Sequence, residues 1–318
     1  MRLVGRLGAI AATVGVASFA YQRIAGAADR RRFPAPGRLV DIGGRRLHLV
    51  TAGAGSPVIV IIPALADSVL PWLPVLEACA GETLACVYER AEVGWSDPPP
   101  RWRRTPDGMA ADLHAMLTAA EIMPPYVLVG HSIGGIVARR FYRQHPDLVT
   151  GMLLIDSSHE MQARRFTELH WRRGRVMYLR FAARQQARIL GARRLADRLG
   201  LLRELNADIA REVLPEQAEA YRAILLSSPH RRAAVREMVM AASTWGDPPT
   251  LGSIPLTVIT RASSPRWDWP VWAGMQDELA ALSADSVHIH AQEAGHYVHR
   301  DEPELVIQAI RDLVARCR

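Results

Sequence analysis

The chain has 318 residues, of which 49% are hydrophobic and 22% charged, and this length suffices for one large α/β domain with an inserted segment. The formal net charge is +7, and all 39 basic residues are arginine. The absence of lysine excludes Schiff-base chemistry on a lysine and a P-loop. No zinc-finger, RNP-like or basic-zipper pattern occurs, so we expect no nucleic-acid partner. Three cysteines at 79, 86 and 317 fit no metal-site spacing, and we expect neither a disulfide framework nor a metal site.

The first 32 residues differ in composition from the rest. Residues 7–21 are uncharged and apolar, with arginines on both sides. Extended to residue 25, the run is long enough to cross a bilayer if Arg23 reaches the interface. We therefore predict that residues 1–32 form a membrane anchor and that the protein is membrane-associated. A signal peptide cleaved near Ala25-Gly26-Ala27, which would give a secreted protein, and a helix packed on the fold are the alternatives.

From residue 39 onward, strand patterns alternate with helix patterns. Apolar runs typical of strands occur at 39–42, 47–51, 58–62, 84–88, 126–129, 152–155, 256–260 and 287–291. Helical patterns lie between them at 71–80, 106–120 and 133–144, and a last one covers 303–316. This alternation predicts an α/β fold with a mainly parallel, doubly wound sheet. We assign residues 33–156 and 251–318 to this core.

Residues 157–250 break the alternation, because they contain several helical stretches and no convincing strand. An all-helical segment between two sheet strands predicts an inserted helical cap. This interval also holds 17 arginines against 10 acidic residues. A solvated helical surface is the ordinary interpretation of such charge, and a surface facing a membrane or an anion is the alternative.

A nucleophile motif follows the apolar run at 126–129. Residues 130–135 read Gly-His-Ser-Ile-Gly-Gly, and a helix pattern begins directly after them. The G-x-S-x-G motif needs small residues because its serine lies on a tight, strained turn between strand and helix. We therefore predict that Ser132 is the nucleophile. The N–H of Ile133, at the helix N-terminus, is the first predicted oxyanion donor, and that of Leu65, after the strand at 58–62, is the second.

The catalytic base should be a histidine on a loop after the last strand. His296 lies between that strand and the final helix pattern. His288 and His290 alternate within the strand itself, and His299 lies where the helix pattern starts, so these three suit structural positions better. We predict that His296 is the base.

Three motifs in this order resemble the α/β-hydrolase superfamily: GHSIGG, the AEVGWSDPP stretch at 91–99, and GHYVHRDEPELV at 295–306. The resemblance covers residues 38–318 except the cap. It implies two-step acyl transfer from a carboxylic ester, lactone or thioester, without a metal or cofactor. Epoxide hydrolases and haloalkane dehalogenases share the arrangement but use an aspartate nucleophile, which Ser132 argues against. One departure is Pro63-Ala64, which replaces the usual His-Gly before the oxyanion loop.

The triad acid has two candidates. The superfamily more commonly places it after the seventh strand, where Asp268 is the nearest carboxylate, eight residues beyond Thr260. Asp156 instead follows the buried run at 152–155 directly, at the sheet edge where substrate-facing groups gather. Some haloalkane-dehalogenase-like members carry their acid there, and we favour Asp156. Capping of the first cap helix is its alternative role.

We expect a small hydrophobic acyl substrate beneath the cap. Aromatic and sulfur-containing side chains at Trp171, Met177, Tyr178 and Phe181 are the predicted lining. Trp267, Trp269 and Trp272 are further lining candidates, with packing under the cap as the alternative. Perhydrolase or C–C bond hydrolase chemistry, and a non-catalytic binding module on the same fold, are the rival functions.

Overall fold

A single eight-stranded sheet forms the centre of the computed structural model, which describes residues 2–100, 104–169, 176, 192–244, 246–266 and 268–318. The strands are β1 (Arg38–Asp41), β2 (Arg46–Ala52), β3 (Val58–Ile62), β4 (Ala85–Tyr88), β5 (Tyr126–His131), β6 (Val149–Ile155), β7 (Leu256–Thr260) and β8 (Ser286–His290). Their order is β1-β2-β4-β3-β5-β6-β7-β8. β2 runs antiparallel to both of its neighbours, and the pairs from β4 to β8 are parallel.

Helices cover both faces of this sheet. The α-helices in the described part of the chain are α1 (Arg2–Arg32), α2 (Leu73–Cys79), α3 (Pro106–Ala119), α4 (Ile133–Gln144), α5 (Gln162–Leu169), α6 (Ala192–Arg198), α7 (Arg203–Glu212), α8 (Ala218–Leu226), α9 (Ser228–Ser243), α10 (Trp269–Ala280), α11 (Val298–Asp301) and α12 (Pro303–Arg316). α3 and α4 pack on one face, and α2 and α12 on the other. Every residue of β3, β4 and β5 is therefore buried, which explains their continuous apolar runs. The predicted fold class is confirmed.

The predicted membrane anchor is wrong. Among the residues that the structure describes, no helix is long and apolar enough to cross a membrane. α1 continues beyond the apolar run, and its C-terminal half packs on the protein. Gln22 is buried and donates to the Leu226 carbonyl at 2.8 Å, and Arg194 pairs with Asp29 at 2.6 Å. These polar contacts fit the packed-helix alternative, and membrane association has no support.

The helices α5 to α9 all lie between β6 and β7 in the sequence. α9 packs against α5 and α8. Its Glu237 also forms a buried ion pair with Arg90, which follows β4. The predicted lining residues Trp171, Met177, Tyr178 and Phe181 lie outside the described part of the chain, as does Trp267.

Candidate active site

Ser132 lies on the turn between β5 and α4 with φ 53° and ψ −120°, a conformation that side-chain-bearing residues rarely adopt. The glycines near Ser132 lie where a side chain would not fit. A Cβ at Gly130 would lie 2.6 Å from the Gly135 Cα, and one at Gly134 would lie 2.0 Å from the Ile62 carbonyl oxygen. The strained turn therefore needs glycine at these motif positions, and α4 begins in direct contact with the end of β3.

A continuous chain of hydrogen bonds joins Ser132, His296 and Asp156. The His296 Nε2 is 3.0 Å from the Ser132 Oγ, and its Nδ1 is 2.5 Å from the Asp156 Oδ2. An ionised carboxylate only accepts, so Nδ1 carries the proton and Nε2 presents a lone pair to the hydroxyl. The serine is nearly buried, with 8% of its surface exposed. This arrangement lets the imidazole take the hydroxyl proton as the oxygen attacks.

Asp156 is held by groups that sequence reasoning did not connect to it. Its carboxylate Oδ1 accepts from the Trp272 indole N–H at 2.7 Å and from the Arg261 backbone N–H at 3.3 Å. The residue is fully buried and has a positive φ of 36°. Trp272, predicted to line the pocket or to pack under the cap, packs against Phe166 of α5, a helix between β6 and β7, and its indole N–H also fixes the orientation of this carboxylate. The first helix after β6 begins only at Gln162, so Asp156 does not cap it.

No described hydrogen bond joins Asp268 to this chain of hydrogen bonds. It precedes the first residue of α10, and its carboxylate contacts the Arg266 guanidinium at 3.2 Å. The ring nitrogens of His296 instead bind Ser132 and Asp156.

The rival histidines have other surroundings. His288 on β8 contacts the Thr260 hydroxyl at 2.7 Å, and His290 packs beside it with 4.4 Å between ring centroids. His299 is buried and stacks on Trp72 with a centroid distance of 3.7 Å. None of these rings is placed against Ser132 by a described hydrogen bond.

A buried polar cluster lies next to His296. His131 donates from Nε2 to the His296 carbonyl at 2.8 Å, and burial holds its pKa and that of His299 well below the ordinary value. In the described part of the chain, Asp67, His131 and His299 are the one group whose ligand atoms lie close enough together to hold a metal ion, within 4.8 Å. Arg300 already pairs with Asp67 at 2.9 Å, and its positive charge disfavours a cation there.

The predicted oxyanion donors belong to adjoining segments. Ile133 opens α4, and Leu65 lies in the loop after β3, which is the neighbour of β5 in the sheet. A buried ion pair that the sequence did not reveal contacts this loop. Arg90 donates to the Pro63 carbonyl at 2.6 Å and pairs with Glu237 at 2.7 Å. The only signal for it was a charged pair, Glu89-Arg90, directly after an apolar strand.

A cavity of about 360 Å³ opens beside the site. Leu65 and Tyr297, the residue after His296, line it from the core. Its other described walls come mostly from α7, α8 and α9, where apolar Leu205 and Leu225 alternate with charged side chains. Within this lining, Arg300 pairs with both Glu212 and Asp67 at 2.9 Å.

The sheet order, the strained serine turn and the Ser-His-Asp geometry are those of an α/β-hydrolase-fold protein. Comparison with family models agrees: the α/β-hydrolase-fold model matches residues 57–303. The chain therefore belongs to the α/β-hydrolase-fold family.

Individual relatives are distant or partial. The chain is 34% identical over 129 residues to efuK of Hormonema carpetanum, a probable transporter, in a match that covers 38% of this chain and 18% of that protein. YqjL of Bacillus subtilis (strain 168), an uncharacterized protein, is 23% identical over 82% of this chain and 85% of its own length. Among solved structures, a thermophilic esterase from Thermogutta terrifontis aligns with a TM-score of 0.63 at 23% identity, covering 89% of this chain and 99% of that one. The structural likeness establishes the fold alone.

Proposed function

We propose that this protein is a serine hydrolase that cleaves a carboxylic ester, thioester or lactone through an acyl-enzyme. The observation that carries the proposal is the continuous contact from the Ser132 hydroxyl through His296 to Asp156. Family membership supports hydrolase chemistry in general, and the resemblance of the fold to an esterase is consistent with it.

The proposed reaction has two steps. His296 Nε2 takes the proton of Ser132 while the oxygen attacks the carbonyl carbon, and the same proton then passes to the leaving alkoxide or thiolate. The amides of Ile133 and Leu65 stabilise the oxyanion of the tetrahedral intermediate. In the second step His296 activates water, which releases the acid and restores the serine. Asp156 accepts a hydrogen bond from the Nδ1–H and stabilises the imidazolium that forms in each step.

The substrate we propose is a small molecule with an apolar acyl part. Leu65, Leu205 and Leu225 offer apolar surface in the cavity beside the base. The cavity volume of about 360 Å³ is in the range of small-ligand sites. Short and medium acyl chains should therefore be accepted better than long ones.

The test is hydrolysis of p-nitrophenyl esters of graded chain length by the wild-type protein and by Ser132→Ala. We expect the substitution to lower kcat by roughly 10⁴–10⁶-fold, because the nucleophile of a triad acts as a unit with its base. A fluorophosphonate probe should label the wild-type protein and leave the variant unlabelled. Activity of the folded variant above a tenth of wild type would refute the proposal.

The same assay separates the rival function. A non-catalytic binding module would show neither ester turnover nor labelling in the wild-type protein. We favour the enzyme because an unused serine has no reason to stay in a strained turn aligned with a base.

A further inference from the structure

The loop after β3, residues 63–66, is held from two sides by one buried ion pair. Arg90, just beyond the end of β4, donates to the carbonyl oxygens of Pro63 at 2.6 Å and of Ala64 at 2.5 Å. Glu237 on α9 accepts from the Ala66 backbone N–H at 2.7 Å. Leu65 lies between these contacts, so its amide is fixed by hydrogen bonds to the residues on either side.

Arg90 and Glu237 also bind each other. The guanidinium Nε and one terminal nitrogen contact the two carboxylate oxygens at 2.7 and 2.9 Å. Both side chains are at least 97% buried. A buried bidentate pair has little freedom to move, because either charge would be left without a partner.

The loop needs such support. Ala66 has a positive φ of 47°, a conformation that costs energy for a residue with a side chain. The usual His-Gly of the superfamily is absent, since Pro63-Ala64 occupies these positions. Hydrogen bonds to the Pro63 and Ala64 carbonyls and to the Ala66 N–H therefore fix a backbone that its own sequence does not.

We propose that Arg90 and Glu237 are positioning residues that aim the Leu65 N–H at the oxyanion. This inference rests on the proposed function, because it assumes acyl transfer at Ser132. Glu237 lies on α9, a helix between β6 and β7, so one side chain of that helix acts directly on the geometry of the oxyanion loop.

The chain offers a matched control in Glu92. Its carboxylate is 98% buried and binds Arg232 at 2.8 Å and Arg236, both on α9. Like Glu237, Glu92 joins α9 to the segment after β4 by a buried ion pair. Unlike Glu237, it has no described contact with residues 63–66.

The experiment compares Glu237→Gln with Glu92→Gln. We expect Glu237→Gln to lower kcat for a p-nitrophenyl ester by roughly 10–100-fold with KM within threefold, because a misplaced oxyanion donor affects the transition state and not the bound ester. Affinity for a trifluoromethyl ketone, whose serine adduct carries an oxyanion, should fall by a similar factor. Glu92→Gln should change each value less than threefold.

A second variant covers misfolding. Arg90→Met combined with Glu237→Leu removes both charges and fills the space with apolar groups, a replacement that buried ion pairs often tolerate. It should fold and show the same loss in kcat. Wild-type kcat and ketone affinity in a folded Glu237→Gln or double variant would overturn the inference.

Hydrogen exchange tests the role of Arg90 and Glu237 in the loop independently of the proposed function. The amides of residues 64–66 should exchange faster in Glu237→Gln than in Glu92→Gln, whatever reaction the protein catalyses. A wild-type protein without ester turnover or fluorophosphonate labelling would refute the proposed function. Unchanged exchange of the loop in Glu237→Gln would show that Glu237 does not hold the loop, and this would refute the inference.

Discussion

At the scale of single residues, the two candidate acids differ in what surrounds their carboxylates. Asp156 binds the His296 ring, an indole N–H and a backbone N–H. Asp268 binds an exposed arginine two residues before it. A catalytic acid must hold its imidazole in one tautomer and one orientation, which requires that its own orientation be fixed. The carboxylate at the end of β6 meets this requirement.

We predict that Asp156→Asn lowers kcat by roughly 10³–10⁴-fold, because the amide holds the ring in the wrong tautomer and leaves its developing charge unstabilised. Asp268→Asn, the matched control, should lower kcat less than tenfold. Ester hydrolysis by both variants, with circular dichroism to check folding, makes the comparison. A greater loss in the Asp268 variant would assign the acid to the loop after β7.

At the scale of secondary-structure elements, the helix that follows Ser132 is tied to the segment that carries Asp156. Arg139 on α4 is fully buried and pairs with Glu160 at 2.8 Å. It also donates to the Ser157 hydroxyl at 3.0 Å and to the Ser158 carbonyl at 2.7 Å. One arginine thus fixes the distance between the helix that follows Ser132 and the loop that follows Asp156.

Loss of one charge from this pair should destabilise the fold. We predict that Glu160→Gln lowers the free energy of unfolding by about 3–5 kcal/mol, because it leaves the Arg139 charge buried without its counter-ion. Glu168→Gln is the control: it removes an exposed pair with Arg164 on α5 and should cost about 0.3–0.5 kcal/mol. Urea denaturation of the two variants measures both values. Equal stability of both variants would show that the buried pair adds nothing.

Elements that bury a continuous apolar run could be predicted from the sequence, and those that depend on tertiary contacts could not. β3 and β5 are buried on both faces, so each of their positions carried the signal. α10 was missed, because tryptophans at its start suggested a pocket wall, although Trp272, Met275 and Leu279 have helical spacing. For the site, Ser132 and His296 follow from local motifs. The contacts of Trp272 and Glu237 join residues more than 100 positions apart, and no local pattern encodes them.

At the scale of the whole molecule, the fold buries histidines in neutral form. Burial lowers the pKa of His230 to about 3, and it lowers those of His131 and His299 well below the ordinary value. In the unfolded chain the pKa of each histidine is about 6.5. Below that pH the histidines bind protons in the unfolded state but stay neutral in the folded state. Their contribution to the free energy of unfolding is therefore complete above pH ~6.5 and is lost as the pH falls.

His230 on α9 allows this loss to be measured, because its folded pKa lies far below the range of the experiment. From pH 7 to pH 5 its protonation in the unfolded state should lower the free energy of unfolding by about 2 kcal/mol. We predict that His230→Gln reduces the pH dependence of stability by that amount in urea denaturation at the two pH values. Burial raises the pKa of Asp67 and Glu212, which opposes the histidines, but these groups contribute to both proteins and cancel in the comparison. If His230→Gln lost as much stability as wild type on acidification, the ring would be protonated in the folded protein, and the face of α9 that carries it would not be buried at pH 5.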